Sequence, residues 1–182
     1  LLVKKTEGKL NGCIGYSLSS IEKSVDYNKN GILEENLGEV YKAKYDVPHS
    51  FKTVMNYHLS KKHSISISGV YHTGQPFTPP SGRVFHQAND IFGSIENPYQ
   101  RFDTYYGSKH SARFPSYFRL DLSYTRKISP WNLNGEFRFQ LINLTGHYNV
   151  LLYNWQTESS PMRIKAYSMF PLLASFSWEF NL

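Results

Sequence analysis

Several segments of this 182-residue chain have residue types at spacings that could do chemistry. Asp26-Tyr27-Asn28-Lys29-Asn30-Gly31-Ile32-Leu33-Glu34 sets side-chain oxygens at alternate positions and ends its first half on a glycine. A calcium loop uses that pattern to wrap a hard cation in oxygen ligands around a sharp bend. Asp26, Asn28 and Asn30 are the candidate ligands. The twelfth position, where such a loop places a bidentate Glu, is Leu37, and Glu35 and Glu39 are out of register. The segment reads better as an Asn/Gly-rich loop, and no metal is expected. Ser20-Ile21-Glu22-Lys23 has the S-x-x-K spacing of an acyl-transfer nucleophile, but that motif needs a helix start and these residues end a strand pattern. The histidines 49, 58, 63, 72, 86, 110 and 147 show no ligand-like spacing. His58 and His72 fall on the polar parity of their strands. The stretch 74–114 concentrates Tyr99, Phe102, Tyr105 and Tyr106 among Arg101, Asp103, Lys109 and His110. Aromatics mixed with polar groups suit a sugar, a siderophore or a peptide. The substrate-contact candidates are His72, Gln75, Arg101, Tyr105 and Tyr106. No nucleophile–base set is readable, so no enzyme and no cofactor are expected.

The elements that must position these residues are strands. At the end of the chain, Leu172, Ala174, Phe176, Trp178, Phe180 and Leu182 share one parity, against Leu173, Ser175, Ser177, Glu179 and Asn181. Successive strand side chains point to opposite faces, so this ribbon has one apolar face and one mostly polar face. The same alternation predicts strands over about 10–23, 51–59, 64–73, 118–127 and 133–141, preceded by a stub at Leu1-Leu2-Val3-Lys4-Lys5. No segment of ten or more residues has helical periodicity. The connections alternate between tight and long. Ser60-Lys61-Lys62-His63 and Ile128-Ser129-Pro130-Trp131 are tight, whereas 25–47, 74–114 and 146–168 are long and read as loops, the second because of its Pro and Gly density.

Net charge is +6, but the charges are scattered and no helix carries a basic stripe, so nucleic acid is not an expected partner. The single cysteine, Cys13, excludes an internal disulfide. No apolar run reaches the roughly 18–20 residues of a membrane-spanning helix. A membrane barrel needs none, because its strands meet lipid only at every second residue. Aromatics are 16% of the chain. They fall near strand ends on the apolar parity: Tyr57, Tyr124, Trp178 and Phe180 at one margin, Tyr71 at the other. Such positions suit the aromatic girdles of a barrel. Lys52, Arg119, Asp121, Lys127, Glu136, Arg138 and Glu179 on the other parity need water, as in a wet or plugged lumen. The expected fold is therefore all-β, an antiparallel transmembrane β-barrel segment. The tight connections would lie on the periplasmic side, with the last strand descending to it.

Several segments, in order, resemble the C-terminal barrel of TonB-dependent outer-membrane receptors. They are Leu2-Val3-Lys4-Lys5 with Gly8-Lys9-Leu10-Asn11-Gly12 and Gly15-Tyr16-Ser17-Leu18-Ser19; Tyr45-Asp46-Val47-Pro48-His49; Tyr71-His72-Thr73-Gly74-Gln75-Pro76-Phe77-Thr78-Pro79; Arg113-Phe114-Pro115-Ser116-Tyr117-Phe118-Arg119-Leu120-Asp121-Leu122-Ser123; and Phe139-Gln140-Leu141-Ile142-Asn143-Leu144-Thr145. The resemblance covers nearly all of 1–182. It implies a barrel of roughly 22 strands, of which about six are here, closed around a plug domain that this chain does not contain. It implies active import of a scarce nutrient (siderophore, vitamin, oligosaccharide or peptide) across a Gram-negative bacterial outer membrane. The implied partners are outer-membrane lipid, the rest of the receptor and the TonB complex, with a surface lipoprotein as a further candidate. The alternative expectation is a small outer-membrane barrel complete in itself, acting as a binding or adhesion module.

Overall fold

A computed structural model describes residues 1–25, 39–87, 100–129, 134–157, 159 and 161–181. The calcium-loop candidates Asp26, Asn28 and Asn30, the turn residues Pro130 and Trp131, and Leu182 lie outside the described residues. The chain is all-β, and among the described residues there is no helix. The strands are β1 (Leu2–Lys5), β2 (Leu10–Leu18), β3 (Glu22–Lys23), β4 (Tyr41–Lys42), β5 (His49–His58), β6 (His63–His72), β7 (Pro76–Phe77), β8 (Pro80–Gln87), β9 (Gln100–Tyr106), β10 (Ala112–Arg113), β11 (Tyr117–Ile128), β12 (Asn134–Ile142), β13 (Val150–Gln156), β14 (Arg163–Ser168) and β15 (Leu173–Asn181).

Seven of these form one antiparallel sheet in the order β1-β2-β5-β6-β11-β12-β15. Every neighbour in it is also the next main strand along the chain, so the sheet is a meander. It is not closed: β1 and β15 are its two edges. The six strands and the stub expected from alternation are these seven. The strand ends flanking the short connections (β1–β2, β5–β6 and β11–β12) all lie at one margin, and those flanking the long connections lie at the other.

The registers decide the faces. A slip of one residue would send every apolar side chain of a strand to the wrong side, and none occurs. Tyr16, Phe51, Tyr71 and Phe118 form a row across four strands near the long-connection margin. Below them run Ile14, Thr53, Gly69 and Leu120, then Gly12, Met55, Ile67, Leu122, Leu141 and Ala174. Next come Leu10, Tyr57, Ile65, Tyr124, Phe139 and Phe176, and finally His63, Arg126, Phe137 and Trp178 near the short-turn margin. The apolar face is thus aliphatic in the middle and aromatic toward both margins. The opposite face carries Lys52, Asn56, His58, Ser64, Ser66, Ser68, Arg119, Asp121, Ser123, Glu136, Arg138, Gln140, Ser175, Ser177 and Glu179. At the β12–β15 pair, Gly135 lies opposite Phe180, whose ring covers the space a Cβ would fill. An aromatic shielding a strand glycine in this way compensates the missing side chain.

The long connections are not plain loops. The stretch 74–114 contains the paired strands β7 and β10 and the β8–β9 hairpin, whose register runs from Gln87↔Gln100 to Pro80↔Tyr106 with an irregularity near Gly82. Likewise 146–168 contains the β13–β14 hairpin. The expectation of loops is corrected here. Pro80 sits at the first residue of its strand, where a missing N–H interrupts no ladder, so prolines that read as breakers mark only a boundary. The strand expected over 10–23 is also divided, into β2 and the short β3.

Candidate functional site

The ordered polar chemistry sits where the long connections leave the sheet. Asp46, fully buried, is its centre. Arg113, 67 residues further along, donates from Nη2 to the Asp46 carboxylate, and from Nη1 to the Asp46 carbonyl (2.9 Å) and the Gly74 carbonyl (3.0 Å). The Ile21 amide donates to Asp46 Oδ1 at 2.7 Å. Burial pushes the Asp46 carboxyl up. The Arg113 guanidinium and the Ile21 N–H outweigh it and hold the group below the ordinary carboxylate range. Gly74 is required beside this pair, because a Cβ there would lie 1.6 Å from the Phe114 carbonyl oxygen. Tyr41 and Ala43 lie in the same stretch and are buried, as is Pro76 of β7 opposite Arg113. The His110 ring stands edge-on to Tyr41, with centroids 5.6 Å apart, and its Nδ1 donates to the Lys42 carbonyl. Lys109 lies 4.7 Å over the Tyr41 ring.

Aromatics extend this root. Phe77 and Phe114 are 4.6 Å apart, and Tyr153 stacks on Phe114 at 5.0 Å with an interplanar angle of 10°. Trp155 lies 6.1 Å from Tyr153. Offset and tilted ring pairs at these separations hold the β7–β10 pair against the β13–β14 hairpin. Arg83 of β8 donates to the Ser159 carbonyl at 3.0 Å, joining the β8–β9 hairpin to the connection that follows β13.

A second polar cluster stands on the polar face of the sheet. Arg119 grips Asp121 in a two-point contact, Nε to Oδ1 at 2.8 Å and Nη2 to Oδ2 at 2.6 Å. Asp121 also accepts from the Asn143 amide at 2.8 Å. Asn143 is left-handed, at φ 55°, which Asn tolerates better than most residues. Its Nδ2 donates to the His147 and Phe170 carbonyls at 2.9 and 3.1 Å. Its Oδ1 has no partner among the described residues. Asn149 extends the β11 ladder by one side chain: its Oδ1 accepts from the Phe118 amide (2.9 Å) and its Nδ2 donates to the Phe118 carbonyl (2.8 Å). Tyr117, Arg119, Asn143, Asn149, Leu151 and Phe170 are among the residues lining an open cleft of ≈ 540 Å³ here.

The substrate-contact candidates separate into two places. His72 ends β6, stacks on Tyr117 at 4.9 Å and donates from Nδ1 to the Thr73 carbonyl at 2.9 Å. Gln75 is exposed, and its carbonyl accepts from the Phe114 amide at 3.0 Å. Arg101, Tyr105 and Tyr106 belong to β9, with both tyrosines more than half exposed. Among the described residues, no hydrogen bond or ring contact joins His72 or Gln75 to Tyr105 or Tyr106. Of the girdle candidates, Tyr57, Tyr71, Trp178 and Phe180 are exposed on the apolar face, and Tyr124 shares it with its hydroxyl 2.6 Å from His63 Nδ1. Tyr16, Phe51 and Phe118 complete the row of Tyr71, an alignment that only register sets. Ser20, of the S-x-x-K spacing, accepts from Lys42 Nζ at 3.1 Å and stands on no helix. Among the described residues, no three His, Cys, Asp or Glu side chains are grouped to hold a metal ion.

The residues that pattern reading passed over are Asp46, Arg113, Asn143 and Asn149. Tyr45-Asp46-Val47-Pro48 and Arg113-Phe114-Pro115 stand out as segments, but nothing in either predicts that the two meet. Comparison with protein-family models, curated proteins and solved structures finds no match.

Proposed function

We propose that this chain is part of the wall of a TonB-dependent receptor in a bacterial outer membrane, a protein that imports a scarce nutrient, and that its long connections form the outward, ligand-facing rim. One observation carries the reading. The apolar face of the seven-stranded sheet is continuous, banded aromatic–aliphatic–aromatic, and covered by no described element, with Phe176 69% and Trp178 61% exposed. A domain in water buries such a face against a second layer. Lipid accepts it as it stands, with aromatics at both interfaces. The grouping of all short connections at one margin fits periplasmic turns, and the tied hairpins at the other fit outer loops. The alternative, a small barrel complete in itself, would need β1 to pair with β15, and these are the unpaired edges.

The test uses the full-length gene product. Expected is recovery in the outer-membrane fraction, heat-modifiable gel migration, and nutrient-limited growth that fails both when the gene is deleted and when the TonB system is inactivated. Recovery as a soluble protein overturns the membrane reading. Membrane insertion with growth indifferent to the TonB system overturns the transport reading.

A further inference from the structure

A cation stands on the apolar face at the β1 edge, where Lys5 joins the row of Gly12 and Met55, and another at the short-turn margin of β11. In β11 the parity runs Phe118, Leu120, Leu122, Tyr124 and then Arg126. Arg126 is exposed, and its side chain makes no hydrogen bond or ion pair among the described residues. Across the ladders its row holds His63 on one side and Phe137 and Trp178 on the other. Lys62 stands beside it in the turn before β6, and that turn is held firmly. The Ser60 amide donates to the His63 carbonyl at 3.2 Å, the Lys62 amide to Ser60 Oγ at 3.2 Å, and the Lys127 amide to the Lys62 carbonyl at 2.8 Å. Lys62, Arg126, Lys127, Ile128, Ser129 and Trp178 line one open cleft of ≈ 390 Å³. The nearby carboxylates face the other side of the sheet: Glu136 and Glu179 oppose each other there and line a neighbouring cleft with Lys61, Lys62 and Lys127, and Glu136 pairs with Arg138 at 2.7 Å.

We propose that this cleft binds the phosphodiester of a membrane phospholipid, with Arg126 and Lys62 on the phosphate and Trp178 against the glycerol and the upper acyl chain. The inference rests on the membrane reading above. A guanidinium offers a phosphate paired N–H donors and an ammonium adds a point charge. An indole combines an apolar body with one N–H donor, the combination an interface needs. The aromatic shelf continues from the cleft along the apolar face: Phe137 stands edge-on to Trp178 at 6.4 Å, and Phe180 lies 5.3 Å from it. A free phosphate ion would gain nothing from that shelf, whereas an acyl chain would lie along it. Arg126 at this level also keeps its charge out of hydrocarbon, since a long cationic side chain reaches to the headgroups.

The test titrates the detergent-purified full-length protein with short-chain phosphatidylglycerol, with inorganic phosphate and with glycerol 3-phosphate, and reads bound lipid by native mass spectrometry. Expected is phosphatidylglycerol binding that weakens about five-fold in R126Q and in K62Q and about 25-fold in the double variant. Trp178→Leu should weaken lipid but leave the small phosphates unaffected, and Lys52→Gln on the opposite face should change nothing. Unchanged lipid binding by the membrane-inserted double variant overturns the site while leaving the membrane reading intact. Inorganic phosphate binding as tightly as the lipid overturns the lipid assignment. A protein that never enters the membrane overturns both readings.

Discussion

In the seven-stranded sheet, Gly69 and Asp121 are the only buried residues among those described, whereas the short stretch 41–46 alone buries Tyr41, Ala43 and Asp46. Burial in this molecule is concentrated where the connections root, not in its regular structure. The root is held by internal chemistry: a carboxylate, a guanidinium, backbone carbonyls and a ring cluster, all satisfied within the chain. The sheet is held by its ladders and leaves a broad apolar face to its surroundings. The difference teaches that ordered packing and hydrophobic patterning answer to different partners here. One is the chain itself, and the other is whatever medium meets the sheet.

Breaking the root should produce the largest effect. Arg113→Met leaves the Asp46 carboxylate buried without its cation and two carbonyls without a donor. A loss of about 3–5 kcal/mol is expected, seen in hydrogen exchange as lost protection around 41–46 and 112–114 while 64–71 and 118–126 stay protected. Loss of protection in the sheet as well would dissolve the contrast between the two regions. Next comes the sheet's own partner. Ile67→Arg, mid-row on the apolar face, should cost about 2–4 kcal/mol in lipid, whereas Ser66→Arg, its neighbour on the polar face, should cost almost nothing. Equal costs in denaturant titrations of the reconstituted protein would mean that the apolar face does not meet lipid.

A smaller change tests the seam between the regions. Asn149→Ala strips both partners from the Phe118 backbone and should cost about 1–3 kcal/mol, measurable as faster exchange of the Phe118 amide. The smallest effect is a pH dependence confined to the root. The folded Asp46 carboxyl titrates below its ordinary value of 3.8. Its contribution is therefore complete above that value and is lost as pH falls through the lower folded one. Exchange of the Ile21 amide, which donates to Asp46, should accelerate on acidification below about pH 4 in the wild type. In Asp46→Asn it should be insensitive to pH once intrinsic exchange is corrected for.

The alternation in Phe176, Trp178 and Phe180, and in Phe118, Leu120, Leu122 and Tyr124, determined by itself that these segments are strands and which side chains share a face, because strand periodicity is local. The alternation of short and long connections likewise made the meander legible. Three things were decided only in three dimensions. Tyr16, Phe51, Tyr71 and Phe118 fall into one row because backbone ladders set the register. The hairpins β8–β9 and β13–β14 form inside stretches that read as loops, because pairing across a connection outweighs the prolines at its ends. The union of Asp46 with Arg113 depends on two chain reversals bringing residues 67 apart in sequence to one point. A carboxylate that must be buried needs a partner, but no local pattern names which of the chain's cations it will be.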